Sequence, residues 1–289
     1  MFDRVEAFYR PASVREALRL LQRGKGRARV VAGGTDVVVE ADGAIRYLID
    51  ITHAGLDYIR KKDGVCLIGG ATRLADIEES GAIRALAGGI LARVAATCGS
   101  IQIRNLATVG GNLAHGSPAA DLAPPLLALD AVVVLADAKG RRRMCLAEYL
   151  ARAAARQLRQ SLLVEVAIPK TPGGKRCGWS FRKLGRTALD IALVNVAAGL
   201  ALDAAGRVRW ARIALGAVAP VAMRARAAEE CMKGRVLDRA LIAEASAEAM
   251  RAASPVSDVR ATAGYRREMT RVLTARALEE CAAQAGCQL

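Results

Sequence analysis

The spacing of hydrophobic positions predicts a helix between two strands at the start of the chain. Apolar residues between positions 14 and 21 recur at helical spacing. Ser13 and Glu16 form a capping box for this helix, and the glycines at positions 24 and 26 end it. Two short apolar runs predict strands over residues 28–32 and 47–51. These elements make a small lobe of the βαβ kind.

The middle of the chain alternates apolar strands with helical patterns. Thr72 is the predicted cap of a short helix, and the Ala- and Leu-rich segment 83–97 is predicted as one long helix. Segment 99–116 is rich in Gly and Asn and has little periodicity, and Ser117 with Pro118 is predicted to open the next helix. Further strands are predicted over residues 65–68, 131–136 and 162–168.

A segment with the composition of a linker, residues 169–175, divides the chain. Residues 203–206 then predict a hairpin turn between two strands. The other predicted elements are strands over 179–183, 193–202 and 208–217 and helices over 237–252 and 261–285. We therefore predict an α+β fold of two domains, residues 1–170 and 176–289, the first divided into lobes of about residues 1–60 and 61–170.

Composition narrows the functions that are possible. The 289 residues are 53% hydrophobic but only 3% aromatic, which disfavours a stacking platform for single-stranded nucleic acid. The net charge of +15 is spread along the chain without zinc-finger or basic-zipper spacing. Such charge favours docking of acidic partner subunits and attraction of phosphate-bearing ligands. A basic module that binds nucleic acid stays open as an alternative.

The seven cysteines have no C-x-x-C spacing, which argues against a disulfide framework and against an iron–sulfur or zinc site. Reduced thiols are typical of a cytoplasmic protein. The N-terminus holds acidic residues and no apolar run, so no signal peptide is predicted. Apolar stretches are short or interrupted, so no direct membrane insertion is expected.

Two glycine-rich segments are candidates for binding phosphate groups. The first runs Val30, Val31, Ala32, Gly33, Gly34, Thr35, Asp36. The second, residues 107–121, contains Gly110 and Gly111. Successive N–H groups in such loops form a concave site for phosphate oxygens, and two facing loops would serve a diphosphate. Ordinary connections between elements explain the same residues, and neither segment has the Rossmann or Walker spacing.

Three motifs, in order, resemble the FAD-binding subunits of the molybdenum hydroxylases. Segment 101–131, IQIRNLATVGGNLAHGSPAADLAPPLLALDA, resembles the signature of that family. VVAGGTD at 30–36 is similar to its first flavin loop. FRKLGR at 181–186, with DIA at 190–192, resembles its segment near the isoalloxazine ring. The resemblance extends from about Phe8 to about Glu280.

The resemblance implies two N-terminal lobes of the vanillyl-alcohol-oxidase type that hold FAD between them. A C-terminal α/β domain of the CO dehydrogenase flavoprotein type would follow. Residues 30–37 and 108–112 would wrap the pyrophosphate and the ribityl chain. The implied cofactor-binding residues are Val30, Val31, Ala32, Gly33, Gly34, Thr35, Asp36, Val37, Cys98, Ile101, Thr108, Gly110, Gly111, Asn112, His115, Ser117, Asp121, Leu163, Arg182 and Lys183.

Several of these residues have more particular implied roles. Asp121 would accept hydrogen bonds from hydroxyls on the flavin side, and Leu163 would line the adenine or flavin pocket. Either Arg182 or Lys183 would place a cation near the flavin ring, where it stabilises the anionic reduced form. His115 stands where the family usually has small residues; it would tune the flavin or move a proton, or it is an ordinary loop residue.

The resemblance implies an electron-transfer subunit with no catalytic acid, base or metal ligand of its own. A large partner would carry the molybdenum cofactor, and a small partner with two [2Fe–2S] clusters would pass electrons to FAD. An external acceptor such as NAD or a quinone would receive them. A free-standing flavin oxidase of the same fold is the alternative within oxidoreductases.

Overall fold

The computed structural model describes residues 4–171 and 176–289. Residues 172–175 of the predicted linker lie outside the described residues. The elements form three sheets with helices packed against them, so the predicted α+β class is confirmed. Across the described residues, the helices lack the combination of length and apolarity needed to traverse a bilayer.

The first sheet has three parallel strands in the order β1–β3–β2. Its elements are β1 (Ala7–Tyr9), α1 (Val14–Arg23), β2 (Ala28–Val31), α2 (Val37–Glu40) and β3 (Tyr47–Asp50). Half of the predicted capping box is confirmed, because Glu16 N donates to Ser13 Oγ at 3.2 Å. The Glu16 carboxylate accepts from Ala12 N at 3.0 Å instead of from the N–H of Ser13.

The second sheet has five antiparallel strands in the order β4–β5–β8–β6–β7. Its strands are β4 (Ile59–Lys62), β5 (Val65–Gly69), β6 (Val132–Asp137), β7 (Gly140–Cys145) and β8 (Leu162–Ile168). Its helices are α3 (Leu74–Glu79), α4 (Gly81–Arg84), a 3-10 turn (Ala87–Gly89), α5 (Ile90–Ala96), α6 (Ile101–Arg104), α7 (Val109–Ala114), α8 (Ala123–Ala128) and α9 (Leu146–Ala154).

The third sheet has four antiparallel strands in the order β12–β11–β10–β9. Its strands are β9 (Cys177–Leu184), β10 (Val194–Leu202), β11 (Val208–Gly216) and β12 (Met223–Arg224). The helices that follow are α10 (Arg226–Met232), α11 (Arg239–Ala252) and α12 (Ala263–Gln284). The predicted hairpin is confirmed, because β10 and β11 pair antiparallel on either side of residues 203–206.

Three predictions for the middle of the chain were wrong. The long helix over 83–97 is broken, because Ala87, Gly88 and Gly89 all have positive φ, which a right-handed helix excludes. Thr72 does not cap α3: its hydroxyl exchanges hydrogen bonds with the backbone of Tyr58. Segment 99–116 contains α6 and α7 despite its weak periodicity, and the helix expected at residue 117 begins only at Ala123.

Helix α8 joins the two parts of the chain. Every residue of α8 is buried, and the helix packs against β10 and β11 as well as α9. Two arginines from beyond the linker hold its C-terminal end. Arg212 donates to Ala128 O at 3.0 Å, and Arg224 donates to Leu127 O at 3.2 Å. Both also pair with Asp130, at 2.7 and 2.6 Å.

Candidate functional site

The first glycine pair turns the chain from β2 into α2. Gly34 has φ of +70°, which suits glycine, and a Cβ on Gly33 would lie 1.8 Å from Leu106 O. The N–H groups of Gly33, Gly34, Thr35 and Asp36 donate no hydrogen bond to any part of the chain that the structure describes. These unused donors form a loop suited to an anionic oxygen.

The second glycine pair lies inside α7 and serves the packing of the protein itself. Gly110 N donates to Gly70 O at 2.9 Å, and a Cβ on Gly110 would come within 2.3 Å of that oxygen. Gly111 N donates to the Thr108 hydroxyl at 3.1 Å, which caps the helix. The pair therefore lets α7 approach β5 closely, while its N–H groups are already engaged.

The two glycine segments face a common cavity of about 270 Å³. Thirteen of the predicted cofactor-binding residues line it: Val30, Ala32, Gly33, Gly34, Thr35, Asp36, Val37, Thr108, Gly110, Gly111, Asn112, His115 and Leu163. The other seven are absent from the lining: Val31, Cys98, Ile101, Ser117, Asp121, Arg182 and Lys183. The cavity lies between the first lobe and the five-stranded sheet.

Two side-chain atoms on α7 and at its end are buried without a hydrogen bond. They are Asn112 Oδ1 and His115 Nδ1. His115 Nδ1 lies 3.4 Å from Glu40 Oε1, close enough for an ion pair when the ring is protonated, but the geometry does not make a hydrogen bond. Buried polar atoms without partners are uncommon, and both residues line the cavity, so a bound polar ligand would satisfy them.

A second cluster surrounds Asp121, beyond the loop that follows His115. Lys183 Nζ lies 2.6 Å from Asp121 Oδ2, and Asn195 Nδ2 donates to Asp121 Oδ1 at 2.8 Å. Lys183 and Asn195 are direct partners on β9 and β10. Arg182 pairs instead with Glu280, at 2.9 Å. The Lys183 side chain is 11% exposed and that of Arg182 is 45% exposed, so the two cations have different surroundings.

The remaining predicted residues have ordinary structural contacts. Burial, with the charge of Asp121 nearby, raises the pKa of the Cys98 thiol, so it stays protonated. Ile101 is exposed on α6, and Ser117 Oγ accepts from Ala119 N at 3.2 Å. Within residues 4–171 and 176–289, no group of three or more His, Cys, Asp or Glu side chains could hold a metal ion.

Sequence reasoning missed part of the cavity wall. Gly70 lines it, and the signal was present, because the pair Gly69 and Gly70 stands at the end of β5, much as Gly33 and Gly34 stand shortly after β2. Tyr149 from α9 also lines the cavity, together with the turn at residues 156 and 158–161. That turn has no motif, and α9 itself was not predicted.

Comparison with known proteins gives matches to two families. Residues 2–171 match the family described as the FAD binding domain in molybdopterin dehydrogenase, and residues 179–281 match the CO dehydrogenase flavoprotein C-terminal domain. The chain is 35% identical to the 6-hydroxypseudooxynicotine dehydrogenase complex subunit alpha of Paenarthrobacter nicotinovorans, over 92% of this chain and 90% of the relative. It is 30% identical to the xanthine dehydrogenase FAD-binding subunit of Escherichia coli O157:H7, over 100% of both.

The fold also matches solved structures over nearly its whole length. One is the carbon monoxide dehydrogenase from Hydrogenophaga pseudoflava that lacks the Mo-pyranopterin moiety. The matching chain has a TM-score of 0.90 and 29% identity, with coverage of 98% of this chain and 99% of that one.

Proposed function

The chain belongs to the FAD-binding medium subunits of the molybdenum hydroxylase family, and we propose that it carries electrons between two partners. A small subunit with [2Fe–2S] clusters would supply the electrons, after a large subunit with the molybdenum cofactor has oxidised the substrate. An external acceptor such as NAD or a quinone would take them from this chain. The chain is thus a subunit of an oxidoreductase.

The residues of the cavity fit FAD. The observation that carries the proposal is the row of unused N–H donors from Gly33 to Asp36, on residues that line the cavity after the end of β2. A diphosphate accepts such donors, and the orphaned Asn112 Oδ1 would accept from a sugar or ribityl hydroxyl. Because Asn112 Oδ1 is buried without a partner, leaving it unsatisfied costs free energy, and a ligand would remove that cost.

FAD, when bound, supplies a group that accepts and releases electrons; the chain supplies the binding and the electrostatic surroundings. The loop at residues 33–36 holds the anionic diphosphate, and α7 closes the cavity from the side of the five-stranded sheet. The Lys183 side chain lies in a largely buried place, paired with Asp121. We infer that Lys183, rather than Arg182, is the cation that acts on the flavin ring.

Replacing Lys183 by Gln should lower the reduction potential of the bound flavin by roughly 30–60 mV. A hydrogen bond to a charged group is worth about 1.5–3 kcal/mol, and about 30 mV equals 1.4 kcal/mol for a two-electron couple. Gln still donates to Asp121, so the change removes mainly the charge. The measurement is a spectroelectrochemical titration of the flavin in each purified variant.

Arg182→Gln is the matched control, because Arg182 is the neighbouring residue and pairs with Glu280 instead. Its potential should stay within about 10 mV of the unmodified protein, well under the 30 mV that corresponds to 1.4 kcal/mol. If the potential of Arg182→Gln shifts as much as that of Lys183→Gln, or more, then Lys183 is not the cation that acts on the flavin ring.

The proposed function itself is tested by isolating the chain from its native host with the proteins that accompany it. We expect flavin absorbance, FAD released by acid, a larger companion that contains molybdenum and a smaller one that contains iron. Reduction of the complex by its substrate should then be followed by flavin oxidation when the acceptor is added. A solitary chain that takes up no FAD on reconstitution would overturn the proposal.

A further inference from the structure

Helix α2 forms an outer wall of the FAD cavity and has few contacts that hold it. Val37 and Glu40 line the cavity, while Val39 on the outer side is 82% exposed. No residue of α2 is buried. The helix is attached through Gly34, with φ of +70°, and Ala41, with φ of +43°. Its position therefore depends on the contacts that its side chains make across the cavity.

Glu40 provides those contacts with both carboxylate oxygens. Oε2 accepts from Arg29 Nη2 on β2 at 3.2 Å. Oε1 lies 3.4 Å from His115 Nδ1, at the end of α7. Arg29 belongs to the same lobe as α2, so the contact with His115 is the one that reaches across the cavity to the other lobe. That nitrogen is buried and makes no hydrogen bond.

Other charged side chains also line this cavity. The acidic ones are Asp36 and Asp42, on either side of α2, and the basic ones are Arg29, Arg156 and Arg159. Burial raises the pKa of the Tyr149 phenol, so this group from α9 stays neutral. Histidine ordinarily changes charge between about pH 5 and 8, and the chain has only one other, His53.

We propose that His115 and Glu40 form a latch that holds α2 over bound FAD and tightens when His115 is protonated. The inference rests on the proposed function, since it concerns the same cofactor. Protonated His115 forms a salt bridge with Glu40 that ties the two lobes together beside the cofactor. Neutral His115 leaves α2 held only by its own lobe. His115 is here a positioning residue, and it acts through Glu40.

The latch predicts that FAD leaves the full chain about threefold more slowly at pH 5.5 than at pH 8, the size expected for a partly exposed ion pair. The rate is measured from the rise in flavin fluorescence after large dilution of the loaded protein into buffer without FAD. Glu40→Gln and His115→Asn should each remove most of this pH dependence. The double variant should remove no more than either single variant, because both belong to one contact.

His53→Asn is the matched control, because His53 is exposed in another part of the first lobe and is expected to leave the pH dependence intact. A pH dependence that survives in Glu40→Gln would overturn the latch, since it would mean that His115 acts on FAD directly. A rate independent of pH in the unmodified chain would overturn it as well. If the chain binds FAD at none of the tested pH values, both the proposed function and the latch are overturned. The two failures can therefore be distinguished, because the outcomes above overturn the latch alone.

Discussion

Replacing Gly33 by alanine is expected to weaken FAD binding by about 10- to 100-fold. The new Cβ would lie 1.8 Å from the carbonyl oxygen of Leu106, so one of the two backbone segments must move. Overpacking of this kind costs about 1–3 kcal/mol, and each 1.4 kcal/mol is tenfold in affinity. Gly33 belongs to the segment whose N–H groups have no partner in the chain, so movement there disturbs the loop that is proposed to hold the diphosphate. A titration of the unloaded chain with FAD, followed by fluorescence, measures the effect.

Gly43→Ala is the matched control for this substitution. Gly43 is exposed near the same cavity, and a Cβ there would meet no atom within 4 Å. Its affinity for FAD should equal that of the unmodified chain. Circular dichroism on both variants checks that the fold is kept. If Gly33→Ala binds FAD as tightly as Gly43→Ala, the loop at residues 33–36 does not hold the cofactor.

Replacing Arg224 by alanine should lower the free energy of unfolding by about 3–5 kcal/mol, the usual effect of breaking a buried ion pair. The Arg224 side chain is 7% exposed, and it donates to Glu229 Oε2 at 2.8 Å and to Asp130 at 2.6 Å. Without it, the buried Glu229 carboxylate and Leu127 O lose a partner. Urea denaturation followed by circular dichroism gives the free energy.

Arg226→Ala separates the effect of burial from the effect of charge. Arg226 contacts the same carboxylate oxygen of Glu229, at 3.4 Å, but its side chain is 69% exposed. An exposed ion pair contributes about 0–1 kcal/mol. Equal losses in the two variants would show that the burial of Arg224 adds nothing to what an exposed arginine contributes.

The sequence predicted the strands and long helices well, because their apolar residues repeat at the spacing of the element. Helix α1 and strands β2, β3, β5, β6, β8, β10 and β11 were found within one residue or two. The break at residues 87–89 was not found, although Gly88 and Gly89 are a signal for it, because the apolar pattern continues on both sides. Strand β7 was missed because its run of arginines lies on an exposed edge of the sheet.

The site was predicted less completely than the fold, for a physical reason. The loop at residues 33–36 can be predicted from its glycines, because only glycine at position 33 permits the close approach to Leu106. The pairing of Asp121 with Lys183 and Asn195 joins residues far apart in sequence, so the local pattern around each gives no sign of it. The choice between Arg182 and Lys183 likewise depends on which side of β9 faces Asp121, and this requires the register with β10.

The burial of α8 has a consequence for synthesis of the protein. The helix belongs to the part of the chain that leaves the ribosome first, yet β10 and β11, which cover it, are made much later. At roughly 5–20 residues per second, its apolar surface stays uncovered for several seconds. During that interval the surface of α8 that packs against β10 and β11 stays open to other proteins, and completion of the third sheet covers it.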